Sequence, residues 1–114
     1  MATDSCTYRE IFQQPDLWPT TLERVDAAST RLDLEKRLAG GRILLTGAGT
    51  SAYAAGAVAA AGCDCIAVPT TDLLIDTERH LTGGNAVISL ARSGASPESA
   101  AVVERVRGLR RDIF

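Results

Sequence analysis

The sequence predicts an α/β fold of three layers, α-β-α, in which helices cover both faces of a parallel sheet of about three strands. Three observations lead there. Short apolar runs rich in branched residues recur as "RILLT" (42–46), "CDCIAVP" (63–69) and "AVISLA" (86–91). A helix-forming stretch follows each run, so the order is α-β-α-β-α-β-α, and parallel strands joined by right-handed crossovers are the economical arrangement. The hydrophobic content of 46% is mostly aliphatic and alanine, with aromatics at only 4%, which suits helices lying close on a sheet better than an aromatic-rich sandwich.

Taken in order, residues 1–14 carry little pattern. Pro15 and Pro19 argue against a continuous helix across "QQPDLWPT" (13–20). Residues 1–19 are therefore expected as an arm, docked through Leu17 and Trp18, with one domain over 20–114. Thr20 fits an N-cap with Glu23 completing a capping box. Leu22, Val25, Ser29 and Leu32 follow at helical spacing, and Gly40-Gly41 closes a helix expected over Thr21–Ala39. "RILLT" reads as a strand buried on both faces. "SAYAAGAVAAA" (51–61) is helical by propensity, and its small side chains let it lie close to a sheet or another helix. The second strand closes at Pro69. "TDLLIDTERHL" (71–81) is expected as one short helix and "TGGN" (82–85) as a turn. After the third strand, Ser96 is an N-cap, Pro97 the first helical residue and Glu98 an acid in the first turn. Val102, Val103, Val106 and Leu109 form the buried stripe of that helix. "RRDIF" ends the sequence with no further strand expected, and the strand order is 2-1-3.

The totals exclude several functions. At 114 residues the chain supports one small domain, burying about 65% of its unfolded surface. Lys+Arg 12 against Asp+Glu 14 gives a charge of −2 with no basic stripe, which argues against nucleic acid as a partner. No apolar run approaches the roughly 18 residues of a membrane span, and "MATDSCTYRE" lacks a signal pattern, so a cytoplasmic protein is expected. Cys6, Cys63 and Cys65 are an odd three beside one histidine. They read as free thiols and small buried hydrophobes, with Cys63 and Cys65 on one face of a strand, and not as a metal site. No metal and no cofactor is expected.

The chemistry sits in two loops, each leaving the carboxyl end of a strand and opening a helix. That edge is where open α/β sheets bind ligands. Helix starts there offer amide hydrogens and partial positive charge to anions. The first loop supplies Gly47 and Gly49 for close backbone approach, then the hydroxyls of Thr50 and Ser51. The second supplies Ser93, Gly94 and Ser96, and Arg92 at the strand end adds a positive charge. Together these parts suit a phosphate. "GAGTSA" also matches G-x-G-x-x-A, a weak dinucleotide signature. A ribose-binding acid would then be wanted at the end of the second strand, where Asp72 stands late, three residues past Pro69. No Walker lysine motif occurs.

"LLTGAGTSAYAAG" followed by "SLARSGASPES" resembles the sugar isomerase (SIS) domain family of phosphosugar-binding proteins, a flavodoxin-like α/β fold. Within it, "EIFQQPDLWPTTL" and "TTDLL" are similar to the branch of tagatose-6-phosphate ketose/aldose isomerase, or galactosamine-6-phosphate isomerase/deaminase. The likeness runs from about Glu10 to Glu104. It implies a sugar phosphate held by Ser51 of the first loop and by Ser93 and Ser96 of the second, with Arg92 and Gly94 supplying backbone. Ala91 and Arg92 stand where many members have serine and glutamine, and the branch itself tolerates "ARSG". The resemblance also implies a five-stranded sheet and a far longer protein, usually with two such domains. The chain therefore looks like the amino-terminal part of an isomerase, with the catalytic acid and base beyond it. A homodimer, or pairing with another SIS segment, is expected to cover the sheet edges.

Blander readings stand beside these. Gly47 and Gly49 can serve a tight turn without a ligand. Ser96 is a plain N-cap whether or not an anion binds, and Arg92 can be a solvated charge. His80 is expected in solvent, and the Asp72/Asp76 and Asp76/His80 spacings mark a solvated helix face. Three functions stay open: the phosphosugar-binding part of an isomerase, a phosphosugar-binding regulatory or interaction module that never turns its ligand over, and a dinucleotide-binding fragment.

Overall fold

A computed structural model describes residues 5–82, 86–109, 111 and 113–114. The chain forms two compact units, Met1–Glu35 and Lys36–Phe114.

The first unit is helical: α1 spans Cys6–Phe12 and α2 spans Gln14–Leu32. Helix α2 runs through Pro15 and Pro19, where no continuous helix is expected. Ser5 caps α1, its Oγ accepting from Tyr8 N–H at 3.1 Å, and Tyr8 stacks against Phe12 with ring centroids 4.4 Å apart. Pro15 sits in the first turn of α2, where an amide hydrogen has no intrahelical partner to lose, and Pro19 is accommodated inside the helix. Thr20 is thus an interior helical residue and not a cap. Leu17 and Trp18, the residues expected to dock the arm, lie within α2. The helix expected to run to Ala39 stops at Leu32. Asp33 takes the left-handed conformation (φ 52°, ψ 45°), which aspartate tolerates better than most residues. A short α3 then covers Leu34–Leu38.

The second unit is the α/β body. Strands β1 (Ile43–Gly47), β2 (Cys65–Pro69) and β3 (Ala86–Leu90) pair in parallel in the order β2-β1-β3, as the crossover argument requires. Ile43 stands opposite Cys65 and Ala86, and Gly47 opposite Pro69 and Leu90. All three carboxyl ends therefore finish level. Successive side chains alternate between faces. Leu44, Val68 and Val87 pack on one face with Leu73, Leu81, Val102 and Val106 to form the core. These come from α5 (Thr70–Ile75), the segment after α6 (Thr77–His80), and α7 (Pro97–Gly108). The other face meets α4 (Thr50–Ala60), whose Ala55 is 1% exposed beside the 6% exposed Leu45. Three layers result.

Several local details differ from expectation. The 71–81 helix is two short ones, because Asp76 leaves helical geometry (φ −140°, ψ 68°) and its side chain accepts from Arg79 N–H at 3.3 Å to cap the second. His80 is half-buried and not fully exposed. Cys6 and Cys63 are exposed and Cys65 half-buried, so only Cys65 approaches the buried role; β2 begins at Cys65, which leaves Cys63 outside the strand. The turn expected over 82–85 lies, apart from Thr82, outside the described residues. At the far end the sheet continues: Ile113 bridges Val87 in parallel, Phe114 N–H donates to Val87 O at 2.9 Å, and Ser89 N–H donates to Phe114 O at 2.8 Å. The Arg37 guanidinium lies 4.3 Å from the centre of the Phe114 ring. Here Ile113 and Phe114 meet the outer edge of β3, where unpaired backbone groups of an edge strand invite pairing. Apolar pattern could not show this in so short a segment.

Candidate functional site

Between the two strand-end loops lies a cavity of about 180 Å³ lined by Ala48, Ser51, Leu90, Ala91, Arg92, Ser93, Gly94, Ser96 and Ser99. The level carboxyl ends of β1 and β3, which are neighbours in the sheet, place the loops side by side. Behind them Thr46 and Thr70, each about 1% exposed or less, share a hydroxyl contact of 3.3 Å that ties the end of β1 to the start of α5.

The first loop is shaped by two glycines with different duties. Gly47 is the last residue of β1, and a Cβ there would lie 2.6 Å from the Ser51 carbonyl carbon and 2.7 Å from its Cβ. Only glycine lets the first turn of α4 seat this close to the strand. Gly49 precedes α4 with φ 56° and ψ −128°, a conformation L side chains rarely adopt, though open space surrounds it. Ser51 N–H donates to Ala48 O at 3.2 Å and Ala52 N–H to Gly49 O at 3.0 Å, so these amides are spent inside the turn. The half-buried Ser51 hydroxyl is what the loop presents to the cavity. Gly49 and Thr50 are exposed and do not line it.

The second loop brings Arg92, Ser93, Gly94 and Ser96 to the same cavity. Ser93 Oγ accepts from Ala95 N–H at 3.3 Å, a local turn that keeps its own proton available. Gly94 turns the chain at φ 68°. Ser96 caps α7 as expected, Pro97 follows, and Glu98 stands in the first turn. Arg92 makes no ion pair among the described residues, so its positive charge is uncompensated there, beside two helix starts that also favour anions.

Four lining residues escaped the sequence. Ala48, Leu90 and Ala91 carry no chemical signal of their own. Ser99, only 5% exposed, reads in sequence as an ordinary first-turn helical serine. Asp72 does not line the cavity; it opens α5 and accepts from Thr71 Oγ1 at 3.5 Å. Nor does Cys65, whose thiol is pushed above its ordinary value by desolvation first, then by the neighbouring Cys63 and Asp64. No group of three or more metal-ligating side chains occurs among the described residues. No described helix is long and apolar enough to cross a membrane.

A small, hydroxyl-lined cavity with one cation and two helix starts thus lies at the strand ends of a parallel α/β sheet. No protein-family profile matches the chain. It is 41% identical to "D-galactosamine-6-phosphate deaminase AgaS" of Escherichia coli O157:H7, over 90% of this chain and 30% of that one. It is 37% identical to the protein of the same name from Shewanella sp. (strain ANA-3), over 95% and 31%. The crystal structure of tagatose-6-phosphate ketose/aldose isomerase from Escherichia coli superposes with a TM-score of 0.76 at 38% identity, covering 99% of this chain and 34% of that one. In sequence and in fold the chain is thus similar to one part of these deaminases and isomerases. It spans about 30% of the length of the curated relatives it matches.

Proposed function

We propose that the chain holds the phosphate of a sugar phosphate in the cavity between the two loops, as the phosphosugar-binding part of an aldose/ketose isomerase or deaminase of the tagatose-6-phosphate or galactosamine-6-phosphate type. One observation carries this reading: Ser51 from the first loop and Arg92, Ser93, Gly94 and Ser96 from the second line a single cavity. Gly49 and Thr50 belong to the proposal as the hinge and opening residue of α4, which set where Ser51 stands. Cavities that enclose a drug-sized molecule run from about 300 Å³ upward, so 180 Å³ suits a phosphate group and not a whole dinucleotide. With Asp72 outside the lining as well, the phosphosugar reading gains over the dinucleotide one.

Moving a proton between C1 and C2 of a sugar needs a base within hydrogen-bond reach. The cavity lining contains serines, one arginine and apolar residues, so the task we assign to it is gripping the phosphate, with the proton transfer supplied elsewhere. A cytoplasmic setting, where free thiols persist, fits the three unpaired cysteines. We assign the outward face of α4, with Tyr53 82% and Val58 45% exposed, to pairing with a second copy, which sedimentation velocity tests.

Thermal-shift titration with galactosamine 6-phosphate and tagatose 6-phosphate tests the binding. Stabilisation of the unaltered chain, lost in Ser51→Ala and Ser93→Ala, is the expected result. Stabilisation that survives both substitutions counts against the site, and saturable NADH binding would favour the dinucleotide alternative.

A further inference from the structure

The start of β2 brings two thiols together at the end of the sheet opposite to the cavity between the loops. Cys65, the first residue of β2, stands opposite Ile43, the first residue of β1. Its N–H donates to Cys63 O at 2.7 Å, which closes a three-residue γ-turn around Asp64. In an extended strand, residues i and i+2 stand about 6.6 Å apart. A turn closed by that bond draws them nearer, inside the roughly 4.4–6.8 Å between Cα atoms that a disulfide spans. The turn is anchored to the neighbouring chain: Ile43 N–H donates to Asp64 O at 3.4 Å, and Arg42 Nε pairs with Asp64 Oδ1 at 3.5 Å. Both cysteines line a cavity of about 450 Å³ with Ile43, Leu45, Val58 and Ile88, so a small solute can reach them. Cys63 is exposed and Cys65 half-buried. Desolvation first, then the nearby Cys63, pushes the Cys65 thiol up, so Cys65 keeps its proton more firmly.

We propose that Cys63 and Cys65 form a modification site, at which a hydroperoxide oxidises Cys63 and Cys65 closes the pair as a reversible disulfide. The exposed Cys63 reacts first, as its thiolate. Its sulfur attacks one peroxide oxygen, the O–O bond breaks, and the other oxygen leaves as an alcohol or water after taking up a proton. Cys63 is then a sulfenic acid. The Cys65 sulfur attacks the Cys63 sulfur, the S–O bond breaks, and water departs with the Cys65 proton. Two thiols thus give two electrons to one hydroperoxide and yield one disulfide, one alcohol (or water) and one water. A small-molecule thiol reverses the modification by thiol–disulfide exchange. The inference does not depend on the phosphosugar reading. Cys6 lies in the other unit, which holds no second cysteine, and serves as the internal reference.

Treatment of the whole folded chain with hydrogen peroxide tests this, followed by blocking of the remaining thiols, trypsin and mass spectrometry. Cleavage after Arg42 and Arg79 isolates residues 43–79 with both cysteines, and cleavage after Arg9 isolates residues 1–9 with Cys6. The 43–79 peptide is expected to have lost two hydrogens, with no blocking group added, and to regain both thiols in dithiothreitol. In Cys65→Ser, Cys63 is expected to gain two or three oxygens that dithiothreitol does not remove. The same reaction in urea is a second measurement that needs no variant to fold: the unfolded chain is expected to give several times more over-oxidised Cys63. Irreversible oxidation of Cys63 in the folded, unaltered chain, to the extent seen in Cys65→Ser, overturns the site. Equal products from the folded and the urea-unfolded chain overturn the part played by the turn. A disulfide joining 43–79 to 1–9 overturns the pairing of Cys63 with Cys65.

Discussion

The two loops reach the same cavity by different means, and the contrast shows where the sequence constrains this site. The first is governed by backbone. Gly47 removes a clash, Gly49 supplies a conformation, two amides close the turn, and one hydroxyl, that of Ser51, remains to face inward. The second is governed by side chains: Ser93 folds its own turn, Ser96 and Ser99 share a hydrogen bond, and Arg92 brings charge. Substitutions should therefore break the first loop through stability and the second through affinity.

The largest effect is expected at Gly47. A methyl there would meet Ser51 backbone at 2.6 Å, and backbone cannot yield as a flexible side chain does. Gly47→Ala should cost about 3 kcal/mol, the upper end for overpacking, read as a shift of the urea midpoint. Since α4 must move away from β1, phosphate-ester binding should go with it. Unchanged stability would mean that α4 does not sit this close. Gly49→Ala comes next. Open space surrounds it, so the cost is conformational alone, about 2 kcal/mol for a strained φ/ψ region. The same pair of measurements separates the two glycines, because Ser51 stays seated in one variant and not in the other.

How much of this was legible differs between regions for physical reasons. Strand-helix alternation fixed the parallel sheet and its order, since buried strands and Pro, Gly and Ser caps leave local signatures that tertiary contacts here reinforce. Ser96-Pro97-Glu98 behaved as a cap, first residue and first-turn acid because each acts within one turn. The amino-terminal region did not follow its local signals. Proline in a first turn costs little, so Pro15 opened α2 instead of preventing it, and the break came at Asp33, a residue that tolerates left-handed geometry without advertising it. Ile113 pairs with Val87 through backbone groups, which no side-chain pattern encodes. At the site, the motif showed which loops converge, but Ser99 lines the cavity only because the first turn of α7 faces it, and that needs coordinates.

Arg92 separates the loops by salt. It is exposed, so its charge acts through solvent and is screened. Arg92→Ala should weaken galactosamine 6-phosphate binding about fivefold at low ionic strength, with the difference shrinking as salt is raised toward 0.5 M, roughly where screening reaches within a few ångströms. Ser51→Ala should show no such convergence, because a lost hydroxyl donor is lost at every salt concentration. Binding to the unaltered chain should also strengthen as pH rises through about 6, where a phosphate monoester sheds its second proton. The sign follows from the ligand: the dianion accepts more hydrogen bonds and meets the helix starts with more charge. A curve flat across that range would indicate that the site does not distinguish the two ionisation states.

The smallest effect tests the charge difference between the two helix starts. No acid stands in the first turn of α4, whereas α7 carries Glu98 there. An acid in that position stabilises the free helix by complementing its dipole, yet it opposes any anion drawn to the same terminus. Glu98→Gln should therefore move two observables in opposite directions: a slightly lower melting temperature for the free chain and about twofold tighter phosphate-ester binding at low salt, both fading as ions screen the exposed carboxylate. Tighter binding without any loss of stability would place Glu98 in the service of the ligand alone. No change in affinity would mean that the anion is held chiefly by the Ser51 side of the cavity, where backbone set the geometry.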